Sequence, residues 1–145
     1  MAKNVRAMTC SPEQVFRVLA DGWLYPSWVV GASRMRGVDP EWPQPDAELQ
    51  HSVGTWPLLL NGTTSVLEWD PPRRMVMRAR GWPIGEAQVT IRVRSAAEGC
   101  VVRIDEDAVK GPGAVIPKFL MAPTLRVRNA ETLHRLAYLA EGGAR

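Results

Sequence analysis

His51 and Glu106 are the residues of this chain best suited to handling a proton inside a folded core. Leu49, His51, Val53 and Thr55 alternate with Glu48, Gln50, Ser52 and Gly54. Strand side chains alternate between faces, so if Leu49 and Val53 turn inward, His51 turns with them. By the same parity Glu106 follows Val102 and Ile104 inward. On the C-terminal helical run, a step of about 100° per residue puts Phe119, Pro123, Arg126, Val127, Ala130, Leu133, His134 and Ala137 on one broad face. Arg128 and Arg135 then point away, and His134 sits at the edge of the face, partly exposed. An inward carboxylate is costly without a partner, which makes Arg126 the expected partner of Glu106. Three roles fit these groups. A buried glutamate beside a histidine can move a proton on a carbonyl substrate. The same groups can orient the polar head of a ligand whose body lies on apolar walls. Alternatively, Glu106 and Arg126 form a structural ion pair while His51 bonds to backbone.

Metal chemistry has little support. Cys10 and Cys100 are the only two cysteines and form no Cys-x-x-Cys motif, and His51 and His134 have no ligand spacing relative to them. No cofactor is called for, and the cysteines read as free buried thiols in a reducing compartment. The opening Met-Ala-Lys-Asn-Val-Arg lacks the apolar stretch of a secretory signal, so the expected location is cytoplasmic. No window approaches the roughly 18–20 uninterrupted apolar residues of a membrane-spanning helix. At 145 residues and 46% hydrophobic, the chain suits one domain over 1–145 that needs neither disulfide nor metal. A net charge of +3 gives solubility without implying a nucleic-acid partner. The unusual feature is six tryptophans against two phenylalanines and two tyrosines, which asks for a specific placement.

The elements that must position these residues follow from local signals. Residues 3–8 alternate weakly as a first strand. Ser11-Pro12-Glu13-Gln14 reads as a capping box with proline at the first helical position, and Asp21-Gly22 stops that helix. Trp23 to Trp28 reads as a short aromatic helical turn that covers something. Ser33 to Val38 is a strand, and Asp39 to Asp46 is a proline-fixed loop. Asn61-Gly62 has the sequence of a hairpin turn, with a strand from Thr63 to Trp69 after it. Asp70-Pro71-Pro72-Arg73 and Ala96-Ala97-Glu98-Gly99 are further turns. Between and after them run strands carrying Met75, Met77 and Ala79; Ala87, Val89, Ile91 and Val93; and Cys100 to Val109. From about Ile116 to Ala140 the chain is helical, with Pro123 kinking it or beginning a new helix. A one-sided meander of strands needs cover, and the last helix is long enough to provide it.

Four stretches carry a family resemblance: Ser11-Pro12-Glu13-Gln14-Val15-Phe16, Trp28-Val29-Val30-Gly31-Ala32, Glu68-Trp69-Asp70-Pro71-Pro72-Arg73-Arg74-Met75-Val76, and Glu106-Asp107-Ala108-Val109-Lys110-Gly111-Pro112. With this element order, the chain resembles the helix-grip proteins of the START and polyketide-cyclase superfamily (SRPBCC) over nearly its whole length. The resemblance implies an α+β fold: about six to seven antiparallel strands wrapped around a long C-terminal helix, with two short helices after the first strand. It also implies an apolar cavity for a small hydrophobic ligand (lipid, polyketide or aromatic) and admits cyclase or dehydratase activity. Such a cavity would be lined by Leu49, Val53 and Met77 from the sheet and by Phe119, Arg126, Val127 and Ala130 from the helix. Tyr25, Trp28 and Trp82 would stand nearer its mouth, and His51 and Glu106 would be the candidates for catalysis. Trp42, Trp56 and Trp69 also fall at strand ends and loops, so some tryptophans are expected to line the opening and others to fill the core. One departure stands out: many relatives have glycine in the loop where this chain has Asp46.

The outer sheet face offers a second class of function. Arg34, Arg36, Arg78, Arg80, Arg92, Arg94 and Arg103 share the outward parity and could meet an acidic partner, making the domain an interaction or regulatory module without catalysis. Glu48, Glu86, Asp105 and Asp107 share that parity, so cross-strand ion pairs are the plainer expectation. No aromatic residue is interleaved for base stacking, which speaks against nucleic acid. A homodimer stays open.

Overall fold

A computed structural model of the chain describes residues 2–30, 32–53, 60–81, 85–110 and 118–142. Strand β1 (Ala2–Met8) leads to helix α1 (Pro12–Ala20). The capping box is formed: the Gln14 amide donates to Ser11 Oγ at 3.2 Å, and the Ser11 amide donates to Gln14 Oε1 at 2.9 Å. Two amides that a helix start leaves unpaired are thereby satisfied. A 3₁₀ turn (Gly22–Leu24) and the one-turn helix α2 (Tyr25–Trp28) follow. Then come β2 (Ala32–Val38), β3 (Glu48–Val53), β4 (Leu60–Asp70), β5 (Arg74–Gly81), β6 (Gly85–Ala96), β7 (Gly99–Lys110) and helix α3 (Lys118–Glu141). Pro123 begins no new helix; α3 runs through it.

The strands form one seven-stranded antiparallel sheet in the order β1-β7-β6-β5-β4-β3-β2. From β2 to β7 each strand pairs with the next in sequence, and β1 closes against β7. Helix α3 packs against β1, α1 and α2. Its last turn is fastened to the start of the chain, where Glu141 Oε2 accepts the Thr9 amide at 2.8 Å and the Thr9 hydroxyl at 3.1 Å. Leu49, Val66, Met75, Met77, Ile91, Val93, Val102 and Ile104 on the sheet and Leu133, Leu136, Ala137 and Ala140 on the helix are buried. This is the expected helix-grip arrangement. Among the described residues no helix is long and apolar enough to cross a membrane.

Two expectations are corrected. Asn61 and Gly62 are not a turn: they lie inside β4, opposite Ser52 and His51. A Cβ on Gly62 would meet the Arg80 carbonyl at 2.9 Å and His51 Cε1 at 3.0 Å, so glycine is there for a close approach between strands. The inward stripe of α3 is also not the predicted one. Asn129, Thr132, Leu133, Leu136, Ala137 and Ala140 are buried, whereas Arg126, Val127, Ala130 and His134 are exposed, Val127 at 75%.

The loop between β2 and β3 holds Asp46 at φ 72°, in the left-handed region where glycine carries no steric penalty. Aspartate is among the few non-glycine residues that adopt this conformation readily. The Asp46 amide donates to the Val66 carbonyl at 2.9 Å, which fixes the loop on β4.

On the outer face the cross-strand ion pairs are present. Arg80 reaches Glu86 at 3.1 Å and Glu48 at 3.7 Å, and Asp105 takes Arg92 at 2.8 Å and Arg103 at 3.0 Å.

Candidate functional site

Helix α2 is only one turn long, and its role is to place two rings. Tyr25 and Trp28 lie three residues apart, both turn inward, and meet edge to face at 5.5 Å. The Tyr25 ring also lies 5.1 Å from that of His51, which the alternation of β3 turns inward as expected. Thr64, on the inner face of β4 opposite Leu49, joins them. Its hydroxyl oxygen is 3.0 Å from Tyr25 Oη and 2.9 Å from His51 Nε2. Thr64 has one proton to give and two lone pairs, so it donates to at most one of these neighbours and accepts from at least one. His51 therefore bonds to the Thr64 side chain, and the backbone of Ser52 adds a weaker interaction that opposes the lowering of its pKa.

Burial lowers the pKa of His51, and the charge of Arg36 lowers it further. Arg36 comes from the outer face and donates to the Gly62 carbonyl at 3.1 Å. The imidazole is thus neutral at pH 7. Burial likewise raises the pKa of Tyr25 and keeps its phenol protonated.

Glu106 also turns inward and is 6% exposed. Its partner is Arg128, not Arg126: Oε1 accepts from Arg128 Nη2 and, at 3.1 Å, from the Asn129 amide group. The correction has the same cause as the shifted helix stripe. A buried carboxylate needs donors from the facing helix, so α3 turns the polar Arg128–Asn129 edge inward and leaves apolar Val127 to solvent. Next along that edge, the Thr132 hydroxyl accepts the Val30 amide at 3.3 Å, fastening the end of α2 to α3.

Between these groups lies a cavity of about 120 Å³. Its walls are apolar at Trp28, Met77, Val89 and Ile104, and polar at His51, Glu106, Arg128 and Asn129. That space is smaller than the roughly 300–1,000 Å³ of most small-molecule pockets and is close to the size that takes a single aromatic ring. Two buried nitrogens on its walls, Trp28 Nε1 and His51 Nδ1, have no hydrogen-bond partner among the described residues. Buried polar atoms are seldom left so.

Of the residues expected to line such a cavity, Tyr25, Trp28, His51, Met77 and Glu106 meet there. Leu49 is fully buried but packs in the core, near Gly22. Arg126, Val127 and Ala130 lie on the exposed side of α3. Trp82 is outside the described residues, as are the side chains of Val53 and Phe119. The tryptophans do not share one opening. Trp42 is buried with its indole N–H donating to the Leu19 carbonyl at 3.2 Å, and Trp69 packs on Phe16 at 5.2 Å. Trp23 is 61% exposed, and Trp56 is outside the described residues. Thr64, Asn129 and Thr132 went unnoticed in the sequence, and Arg128, expected to point away, turns to Glu106 instead. Parity with Val66 could have exposed Thr64, whereas the helix residues had no such signal.

The polyketide cyclase/dehydrase and lipid transport family matches residues 3–141. No curated protein matches the sequence. Solved structures do: CV1439 from Chromobacterium violaceum, 18% identical with a TM-score of 0.73, is matched over 96% of each chain. Ara h 8.0201 is 9% identical with a TM-score of 0.74, over 97% of this chain and 96% of that one. DynU16, a protein of the dynemicin biosynthetic locus, is 19% identical with a TM-score of 0.69; 99% of this chain matches 48% of its length. At such identities the structures speak to fold, and the family match decides membership: the chain belongs to the polyketide cyclase/dehydrase and lipid transport family.

Proposed function

We propose that the protein binds a small, largely apolar ligand of about single-ring size that carries a hydrogen-bonding group, held between the sheet and α3. The observation that carries this reading is the pair of unpartnered ring nitrogens, Trp28 Nε1 and His51 Nδ1, on the walls of a cavity that is apolar along Met77, Val89 and Ile104 and polar along Glu106, Arg128 and Asn129. A buried donor or acceptor left unmade costs about 1–3 kcal/mol, which a ligand group placed against it recovers. Membership of a cyclase/dehydrase and lipid transport family supports an apolar ligand. Binding is favoured over proton transfer because Glu106 is committed to Arg128 and Asn129, where it anchors α3.

The test is a titration with phenol, indole and toluene followed by native mass spectrometry and tryptophan fluorescence. Phenol should bind about three- to tenfold more tightly than toluene, the difference one hydrogen bond makes. Trp28→Phe should remove much of that preference while leaving toluene binding in place. Failure of all three ligands to bind, or equal affinity for phenol and toluene, would overturn the reading.

A further inference from the structure

We infer that the protein carries a second site, on the outer face of the sheet, for a compact organic polyanion of diphosphate size. The site is independent of the cavity. A groove of about 760 Å³ lies where β5, β6 and β7 meet the β4–β5 turn and the first residue of α1. The strand register aligns arginines across it. Arg74 is opposite Arg92, Arg92 is opposite Arg103, and Val5 of β1 continues the row. With strands about 4.8 Å apart, the three arginine stems span roughly 10 Å.

Like charges directly opposite one another destabilise a sheet, and here two such pairs share one row. Their compensation is partial. Asp105, 6% exposed, accepts from Arg92 Nη1 at Oδ2, 2.8 Å, and from Arg103 Nε at Oδ1, 3.0 Å. Arg74 Nε stands 3.6 Å from Glu68, too far for a hydrogen bond, and has no other partner. Arg73 pairs with Asp70 at 3.1 Å. Arg94, one position further along the same face of β6, is exposed and unpaired among the described residues. Five arginines thus line the groove against three carboxylates, Glu68, Asp70 and Asp105, and two positive charges are left over.

The buried Asp105 does more than neutralise. It takes one nitrogen from each of two guanidiniums, and each guanidinium has five N–H donors. Both forks are therefore aimed while most of their donors stay free. Guanidinium forks match phosphate oxygens bidentately, and a diphosphate offers oxygens to neighbouring forks at once. Val5, 63% exposed, and Val101 border the charged row and would take an organic substituent beside it. No aromatic side chain lines the groove for base stacking, which favours a small molecule over a nucleic acid.

Titration calorimetry at about 50 mM salt, where the Debye length still permits weak ionic binding, can decide. The probes are inorganic pyrophosphate, isopentenyl diphosphate, acetate and an octaglutamate peptide. Both diphosphates should bind, isopentenyl diphosphate the more tightly, and acetate should not. Arg94→Gln should weaken pyrophosphate by about tenfold or more, while Arg135→Gln, the same charge change on α3, should alter it less than about twofold. Circular dichroism on both variants checks that each is folded. Equal losses in the two variants would reduce the groove to a diffuse positive field and overturn the inference. So would absence of pyrophosphate binding, or octaglutamate binding more tightly than pyrophosphate, which would point to a protein partner.

Discussion

The ring of His51 lies against Tyr25, with Gly62 beneath it and the charge of Arg36 nearby. Burial first, and Arg36 second, depress its pKa below the ordinary value. The sign of the resulting pH dependence follows. An unfolded chain takes up the proton at about pH 6.5, whereas the folded chain takes it up only at lower pH. The contribution to stability is therefore intact above the unfolded value and drains away as pH falls through the folded one. The urea midpoint should fall between about pH 7 and pH 5, and His51→Gln should flatten that fall. Equal falls in both proteins would clear His51 of responsibility.

At the scale of elements, β4 depends on one missing side chain. Gly62→Ala would push a methyl group into the Arg80 carbonyl at 2.9 Å and His51 Cε1 at 3.0 Å. Neither the backbone carbonyl nor a ring bonded to Thr64 yields easily, so a cost of about 1–3 kcal/mol is expected by chemical denaturation. Unchanged stability would mean that β4 shifts freely. The same residue shows what the sequence could and could not convey. Strand parity was legible, since alternation of two admits no drift: Leu49 carried His51 inward, and Ile104 carried Glu106. Asn61-Gly62 misled because its glycine answers to a ring across the sheet, which local turn chemistry cannot register. Helix α3 misled for a related reason. Its inward Arg128, Asn129 and Thr132 are polar because Glu106 and Val30 need partners, while Val127 and Ala130 face solvent. A stripe read from apolarity alone therefore came out rotated about the helix axis. The tryptophan excess likewise divides between the cavity, through Trp28, and packing, through Trp42 and Trp69.

Across the whole molecule, Cys10 and Cys100 mark the end where β1, α1 and β7 converge. Cys10 directly precedes the α1 cap, and Cys100 is adjacent to Ser95 and Met8 in the sheet. Burial, above all, raises the pKa of both thiols, and Cys100 is pushed up to about 12. A thiol-specific reagent at pH 8 should therefore label the native protein no faster than it unfolds, and both thiols should react at once in urea. Rapid labelling of either thiol in the native state would reveal a local opening at this end. The strand order adds a consequence in time. Each strand from β2 to β7 can pair as soon as the next one leaves the ribosome, but Lys3 of β1 must wait for Asp105 of β7. The wall made by Arg128, Asn129 and Thr132 arrives later still. Closure is thus a late event with a long-range cost, and the cavity is absent until it happens. A ligand can have no part in starting the folding of this chain; it can act only as a latch, slowing the way back out.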